Sequence, residues 1–266
     1  MYAKPNKSLG QNFLIDKNIQ KKIIRACNLK VEDIILEIGA GRGDLTVELA
    51  RGTAKVYALE IDNRLYPILD KQLVSFTNSQ VIKADILKFD IEKFLLGNKI
   101  KKKIKVIGNI PYNISSPIIQ RLIGYSDYID EIFITVQKEF AKRVAASPGS
   151  KNYGSFSCFV QYYLEPKIIF EIKRNSFFPA PKVDSCFLAL RKRLKPRVLV
   201  KDEDAFFKLI RKAFNQRRKT LRNSLEGFVP QEKLDAFFIQ KGIDKNVRPE
   251  DLSLEEFADL MKTSNY

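Results

Sequence analysis

The chain of 266 residues contains no histidine, only three cysteines and no long apolar run. Without histidine there can be no Ser-His or Cys-His nucleophile pair, no His-ligated zinc and no imidazole base poised near neutral pH. Any chemistry must therefore proceed without a strong base. Cys27, Cys158 and Cys186 are scattered, odd in number and never spaced as CxxC, so neither a disulfide framework nor a zinc knuckle is written here. They read as buried core thiols in a reducing compartment, and no metal site is expected. No segment approaches the roughly 20 apolar residues of a membrane span. The opening stretch, MYAKPNKSLGQNFLID, lacks the apolar core of a secretory signal. The expectation is a cytoplasmic protein with no membrane partner. Internal repeats and low-complexity segments are also missing.

What is abundant is positive charge. Lys and Arg number 47 against 31 Asp and Glu, a formal net charge of +16, while 45% hydrophobic and 29% charged residues describe an ordinary globular chain. Such a surplus suggests a polyanionic partner, nucleic acid before an acidic membrane surface. The charge is uneven. Between Arg191 and Arg222 stand thirteen basic residues against Asp202, Glu203 and Asp204, a local surplus of +10. A solvated helix face is the plain explanation; a phosphate-binding surface suits the density better. A second cluster, Lys99, Lys101, Lys102, Lys103 and Lys105, reads equally as a solvated loop or as an RNA-facing one.

Between about residues 33 and 137 short runs rich in Ile and Val (34–38, 55–61, 80–85, 105–109 and 131–137) alternate with helical stretches such as 44–50 and 64–74. Strands separated by helices predict βαβ units, hence an α/β, doubly wound, mainly parallel sheet whose ligands lie beyond the carboxyl ends of its strands. A helix is expected over 156–164 and strands over 166–172 and 183–193, the last two pairing as a hairpin at the sheet edge. Beyond the seam around Pro196 everything reads as helix. The expected division is a catalytic α/β domain, 1–194, and an all-helical RNA-binding domain, 195–266, too small for much core of its own.

The first strand runs into EIGAGRG (37–43), with glycines at 39, 41 and 43. The spacing is GxGxG, not the GxGxxG that cradles a dinucleotide pyrophosphate. A ligand wanting close backbone contact and a ribose anchor, but bringing no diphosphate, fits better, and S-adenosylmethionine is such a ligand. Gly39 and Gly41 are the candidate backbone contacts. Glu60, at the end of the second strand, can accept from both ribose hydroxyls; Asp85, at the end of the third, can accept from the adenine amino group. Together they favour a methyl-donor pocket over a nicotinamide one.

The fourth strand ends in NIPYNISS (109–116). The amino nitrogen of adenine is a poor nucleophile because its lone pair is conjugated with the ring. Two acceptors, the Asn109 side-chain oxygen and the Ile110 carbonyl held by Pro111, can draw that nitrogen toward tetrahedral geometry. Tyr112 can stack on a base taken out of its helix, with Phe177 or Phe178 as a second platform. The leaving group is a neutral thioether and the methylated nitrogen sheds its proton to water, so a chain without histidine suffices.

GQNFL (10–14), EIGAGRGDLT (37–46), Glu60, Asp85, NIPYNISSPII (109–119), VQKEFAKRV (136–144), FFPAPKVDS (177–185) and AFNQRRKTLRNSL (213–225) together resemble, in order, the motifs of the ribosomal RNA adenine N6-dimethyltransferases. The last is similar to the helical-domain motif of the small-subunit enzymes. Ala40, Ile110 and Phe140 depart mildly from the family pattern. The resemblance implies a Rossmann-like methyltransferase domain, S-adenosylmethionine as donor, and dimethylation of two adjacent adenosines in the hairpin near the 3′ end of small-subunit rRNA. It further implies a role in ribosome assembly on a pre-ribosomal particle, by a monomer. Carried over motif by motif, the cofactor contacts would be Asn12, Leu14, Gly39, Glu60, Asp85 and Asn109. Rival readings are an adenine-N6 methyltransferase acting on large-subunit RNA or on DNA, and a non-catalytic RNA- or transcription-associated factor keeping the fold.

Overall fold

The apolar runs read as strands form strands in the computed structural model, which describes residues 4–216 and 218–263. Arg217 of the basic segment lies outside the described residues. In chain order, β1 (Phe13–Leu14) and α1 (Lys17–Ala26) precede β2 (Ile34–Ile38), α2 (Asp44–Ala50), β3 (Lys55–Glu60), α3 (Tyr66–Leu73), β4 (Ser79–Lys83) and α4 (Ile91–Gly97). Then come β5 (Ile104–Asn109), α5 (Ser115–Gly124), β6 (Ile129–Gln137), α6 (Lys138–Val144), α7 (Ser155–Tyr163), β7 (Leu164–Ile172), β8 (Phe177–Phe178) and β9 (Ser185–Lys192). The helices α8 (Glu203–Phe214), α9 (Leu221–Ser224), α10 (Gln231–Lys241) and α11 (Leu254–Thr263) follow.

Seven strands form one sheet in the order β4-β3-β2-β5-β6-β9-β7. The pairs β3/β4, β2/β3, β2/β5 and β5/β6 are parallel, and β9 runs antiparallel to β6. The strands of the centre are apolar on both faces because helices cover both, as a doubly wound sheet requires. Ile35, Leu36, Val56, Val106 and Ile107 are fully buried. The chain winds outward from β2 to β4, then returns to β5 and winds the other way. The switch point therefore falls between the carboxyl ends of β2 and β5, where such folds bind ligands. The two late strands are neighbours as expected, with β7 at the edge and β9 enclosed between β6 and β7. Their connection is more than a loop: it carries β8, which pairs antiparallel with β1, Phe13 opposite Phe178 and Leu14 opposite Phe177. GQNFL and FFPAP, distant in the chain, thus make one small ribbon.

The chain divides into a unit up to Ala141 with Lys167–Lys192, and a second of Lys142–Pro166 with Arg193 onward. The sequence predicts a single cut near residue 195; in this division 142–166 groups with the helices. The reason is packing. Ala146, Tyr153, Cys158 and Tyr162 are buried in one cluster with Phe206, Phe207, Ile210, Phe237 and Phe257, so α7 supplies core that the last four helices lack alone. In α8, Asp202 caps the first turn by accepting from the Ala205 N–H, Glu203 and Asp204 follow it, and Arg211 and Lys212 close the last turn. Those charges complement the helix dipole. All three cysteines are free and buried, and no helix among the described residues is long and apolar enough to cross a membrane.

Candidate active site

At the switch point of the first unit lies a cavity of about 270 Å³, just under the roughly 300 Å³ at which small-molecule sites begin. Its walls come from residues 8–13 and 109–114 and from the segments following β2, β3 and β4. Gly39, Gly41, Glu60, Asp85, Asn12, Asn109, Ile110, Pro111 and Tyr112 all line it. Residues far apart in the sequence therefore converge because parallel strands place all their carboxyl ends on one edge.

The glycine loop turns as its composition demands, with φ of 74° at Gly39, 60° at Gly41 and 87° at Gly43. Gly39 is needed twice over, since a Cβ there would also stand 3.2 Å from the Asn109 carbonyl oxygen. Gly108, which carries no motif signal in the sequence, is tighter still: a Cβ would come within 2.6 Å of the Ile38 carbonyl. The β2–β5 approach at the floor of the site thus depends on glycine.

Glu60 is 4% exposed. Its Oε2 accepts the Gly41 N–H at 2.7 Å, and its Oε1 accepts those of Ile61 at 3.0 Å and Asp62 at 2.9 Å. Burial raises its pKa, opposed by these backbone donors. The carboxylate is thereby fixed before any ligand arrives, with acceptor capacity left on Oε2. Asp85 is half-buried and accepts the Leu87 N–H through Oδ1 at 2.9 Å. Asp62 accepts from Gln11 Nε2 at 2.8 Å and pairs with Arg64 at 2.6 Å; the Arg64 guanidinium foremost holds its carboxyl down at about 2. Gln11, like Gly108, is not marked as a site residue by the sequence. Its side chain ties the N-terminal wall to the end of β3.

The amide of Asn109 donates through Nδ2 to the Asn12 carbonyl at 2.8 Å, which leaves Oδ1 as the acceptor available to the cavity. Asn12 contributes to the site through that carbonyl, and its own Nδ2 donates to the Gly10 carbonyl at 3.1 Å. Ile110 is buried, Pro111 has φ −59° and ψ 132°, and the ring of Tyr112 is half-buried with its hydroxyl 2.6 Å from Ser185 Oγ. Burial foremost raises the Tyr112 pKa.

Two expected site residues are placed elsewhere. Phe177 is 2% exposed and packs with Leu14, Ile23 and Phe187 in the core, so it cannot face a base; Phe178, on the opposite side of the same short strand, is 55% exposed. Adjacent residues of a strand point to opposite faces, and the register of β8 on β1 decides which one is free. Leu14 lies outside the cavity wall, which ends at Phe13; its side chain is in the same core and its carbonyl accepts from Gln20 Nε2 at 2.7 Å. Its place is to hold the ribbon.

The basic segment is partly neutralised. Arg191 pairs with Glu131, Lys192 with Asp127, Arg193 with Glu165, Arg197 with Glu255 and Arg222 with Asp235. Lys208, Arg211, Lys212, Arg218 and Lys219 carry no ion pair among the described residues, and all but Lys212 are exposed. In the other cluster Lys105 is buried between Asp33 at 2.9 Å and Glu131 at 3.5 Å, so it serves the fold; Lys99, Lys101, Lys102 and Lys103 are exposed.

No Lys or Arg lines the cavity among the described residues, which leaves a diphosphate without counter-charge. Two carboxylates, carbonyls and an apolar wall of Ile38, Leu59, Ile61 and Ile86 suit a cationic ligand with an adenosine moiety. The residues present therefore fit S-adenosylmethionine, and no cluster of metal-ligating side chains occurs among those described. The fold and cavity define a Rossmann-like, S-adenosylmethionine-dependent methyltransferase. The model of the family described as ribosomal RNA adenine dimethylase matches residues 2–265. The chain belongs to that family and is an rRNA adenine dimethyltransferase.

Relatives named "Ribosomal RNA small subunit methyltransferase A" include one from Clostridium botulinum (strain Langeland), 43% identical over 256 residues, covering 96% of this chain and 92% of the relative. Another, from Moorella thermoacetica, is 42% identical over 97% of this chain and 92% of its own. A crystal structure of a dimethyladenosine transferase from Plasmodium falciparum is similar with a TM-score of 0.79 and 28% identity, over 95% of this chain and 97% of that one. The 23S rRNA methyltransferase ErmE shares the fold, with a TM-score of 0.76 and 24% identity over 96% of this chain and 100% of its own.

Proposed function

We propose that the enzyme dimethylates N6 of two adjacent adenosines in the hairpin near the 3′ end of small-subunit rRNA, as a monomer acting on a pre-ribosomal particle. The single observation that carries the chemistry is the Asn109–Asn12 hydrogen bond, because it dictates which end of the Asn109 amide is offered to substrate. The choice of subunit is supported by the relatives at 42–43% identity, whose names specify the small subunit.

When bound, S-adenosylmethionine would supply a methyl group on a sulfonium, whose leaving group is a neutral thioether. Glu60 and Asp85 would hold the donor by its ribose and adenine, and Gly39 and Gly41 would permit close backbone contact. Asn109 Oδ1 and the Ile110 carbonyl accept the two hydrogens of the adenine amino group. As that nitrogen leaves conjugation and gains positive charge, both acceptors bind it more strongly, which is the differential stabilisation that raises a rate. Tyr112 and Phe178 provide faces for the extruded base, each aromatic platform contributing about 1–3 kcal/mol. Phe178 takes the place that burial denies Phe177. The unpaired cations of α8 and of the turn after it supply phosphate contacts along the RNA.

Incubation with labelled donor and immature small subunits, and separately with large subunits, followed by mapping of the modified nucleotide, tests this reading. Two neighbouring dimethyladenosines in the small-subunit hairpin are expected. Label confined to large-subunit RNA overturns the substrate assignment.

A further inference from the structure

A hydroxyl buried in a strand is destabilising unless it finds a partner. Ser185 opens β9, the otherwise apolar run SCFLAL, and is fully buried opposite Gln137 of β6. Its partner is the phenol of Tyr112, at 2.6 Å. Tyr112 begins a single turn of 3-10 helix, Tyr112–Ile114, that has no side-chain cap. The bond to Ser185 anchors the far end of that ring to the sheet. The preceding residue does related work on the other candidate platform. Asp184 accepts the Arg174 N–H at 3.0 Å, pairs with Lys173 at 3.1 Å, and offers its carbonyl to the Lys138 N–H at 3.0 Å. These bonds close the base of the segment 173–184, which carries Phe178.

We propose that Ser185 is a positioning residue for methyl transfer, holding the Tyr112 ring as a fixed wall for the target base, while Asp184 fixes the loop that presents Phe178. Two consecutive residues thus set the slot the base enters. The inference rests on the reading of Tyr112 as a face for that base. It gives the VDS end of the FFPAPKVDS motif a task that the cofactor contacts do not explain.

The test compares Ser185→Ala, Ser185→Thr, Tyr112→Phe, Tyr112→Ala and the Ser185→Ala/Tyr112→Phe double variant. Readouts are kcat for methyl transfer to small subunits, KM for the donor, the melting temperature, and the fluorescence of 2-aminopurine placed at the target position. Losing one hydrogen bond should lower kcat about 3- to 10-fold in Ser185→Ala and equally in Tyr112→Phe, with donor KM unchanged in Ser185→Ala, since Ser185 does not line the donor cavity. The double variant should be no worse than either single one, because both remove the same bond. Ser185→Thr, which keeps the hydroxyl, should retain most of the rate, and 2-aminopurine should be less quenched on Ser185→Ala than on the parent enzyme. Multiplying losses in the double variant, or normal kcat in both single variants, overturns the proposal. Should Ser185→Ala fail to fold, Tyr112→Phe removes the same bond from the half-exposed side and decides alone. Full turnover by Tyr112→Ala would sink the platform reading itself; an inactive Tyr112→Ala beside normal Tyr112→Phe and Ser185→Ala would sink only the clamp.

Discussion

Phe177 and Phe178 are chemically identical neighbours, so truncating each separates packing from catalysis. Phe177 is 2% exposed among Leu14, Ile23, Phe187 and Ala189, and removing a buried phenyl ring costs about 3–5 kcal/mol in transfer energy and in the cavity left behind. In a chain of this size each kcal/mol moves the melting temperature by about 2–4 °C, so Phe177→Ala should melt roughly 6–20 °C lower. Phe178 is 55% exposed, and its truncation should leave stability within about 0.5 kcal/mol. What Phe178→Ala loses is a platform for the extruded base, about 1–3 kcal/mol, which lowers kcat/KM for RNA by roughly 5- to 150-fold. Donor affinity should not change, since Phe178 does not line the donor cavity. The assay is thermal melting of both variants beside label transfer to immature small subunits at a temperature where both are folded. Normal transfer by Phe178→Ala would refute the stacking argument; an unchanged melting temperature for Phe177→Ala would refute the packing one.

Asn109→Ala removes the acceptor for the amino group and should cut kcat by about 10²–10³, the loss seen when one donor is removed from an anion-stabilising site; near-normal turnover in a single-turnover assay would show that Oδ1 is not engaged. Replacing Lys208, Arg211 and Lys212 by Ala should flatten the dependence of log K on log salt by about 0.7–0.9 for each phosphate left without its cation. The same change at Arg193 and Arg197, which already face Glu165 and Glu255, should leave the slope alone, and equal effects from both sets would contradict the division. Glu37 is fully buried beneath the glycine loop, and burial foremost pushes its carboxyl up from 4.5 to about 8. The folded state then holds a proton that the unfolded chain releases. This carboxyl therefore stabilises the fold fully below pH 4.5, and that contribution declines by about 1.4 kcal/mol per pH unit until about pH 8. Glu37→Gln should flatten the melting-temperature profile across that window; parallel profiles would place the Glu37 titration elsewhere.

The sheet is legible in the sequence because its strands are predominantly apolar: IILEI and KVIGN carry Ile, Leu and Val on both faces, and length and composition suffice to place them. Gly39, Glu60, Asp85 and Asn109 are legible because a parallel sheet carries every strand's carboxyl end to one edge. Which phenylalanine faces the solvent is not, since it depends on pairing with Leu14 far back in the chain. Local sequence offers only Pro196 as a break; the grouping of 142–166 with the later helices depends on packing such as that of Tyr162 with Phe206 and Phe207. Charge density misleads for a related reason: counting Arg191 to Arg222 cannot see Glu131, Glu165, Asp235 or Glu255, the partners that long-range folding brings back. Gln11 and Ser185 fall inside the motifs GQNFL and FFPAPKVDS, but an ordinary amide and an ordinary hydroxyl do not announce their tasks until the fold gives each its partner.

Charge is partitioned in this molecule by function. Its surplus is carried by surface cations such as Lys208 and Arg211, whereas no Lys or Arg lines the cavity among the described residues. A polyanionic substrate must be drawn to the outside, and a cationic donor must be tolerated inside. The attacking nitrogen also turns positive as it reacts. The same acceptor chemistry that suits the donor, carboxylates and carbonyls without counter-ions, is therefore what the transition state requires. A histidine or lysine in that space would add a competing positive charge in a buried, low-dielectric site, where its repulsion is strongest. The proposed acceptors, the Asn109 side-chain oxygen and the Ile110 carbonyl, cannot themselves become cations and would avoid that penalty.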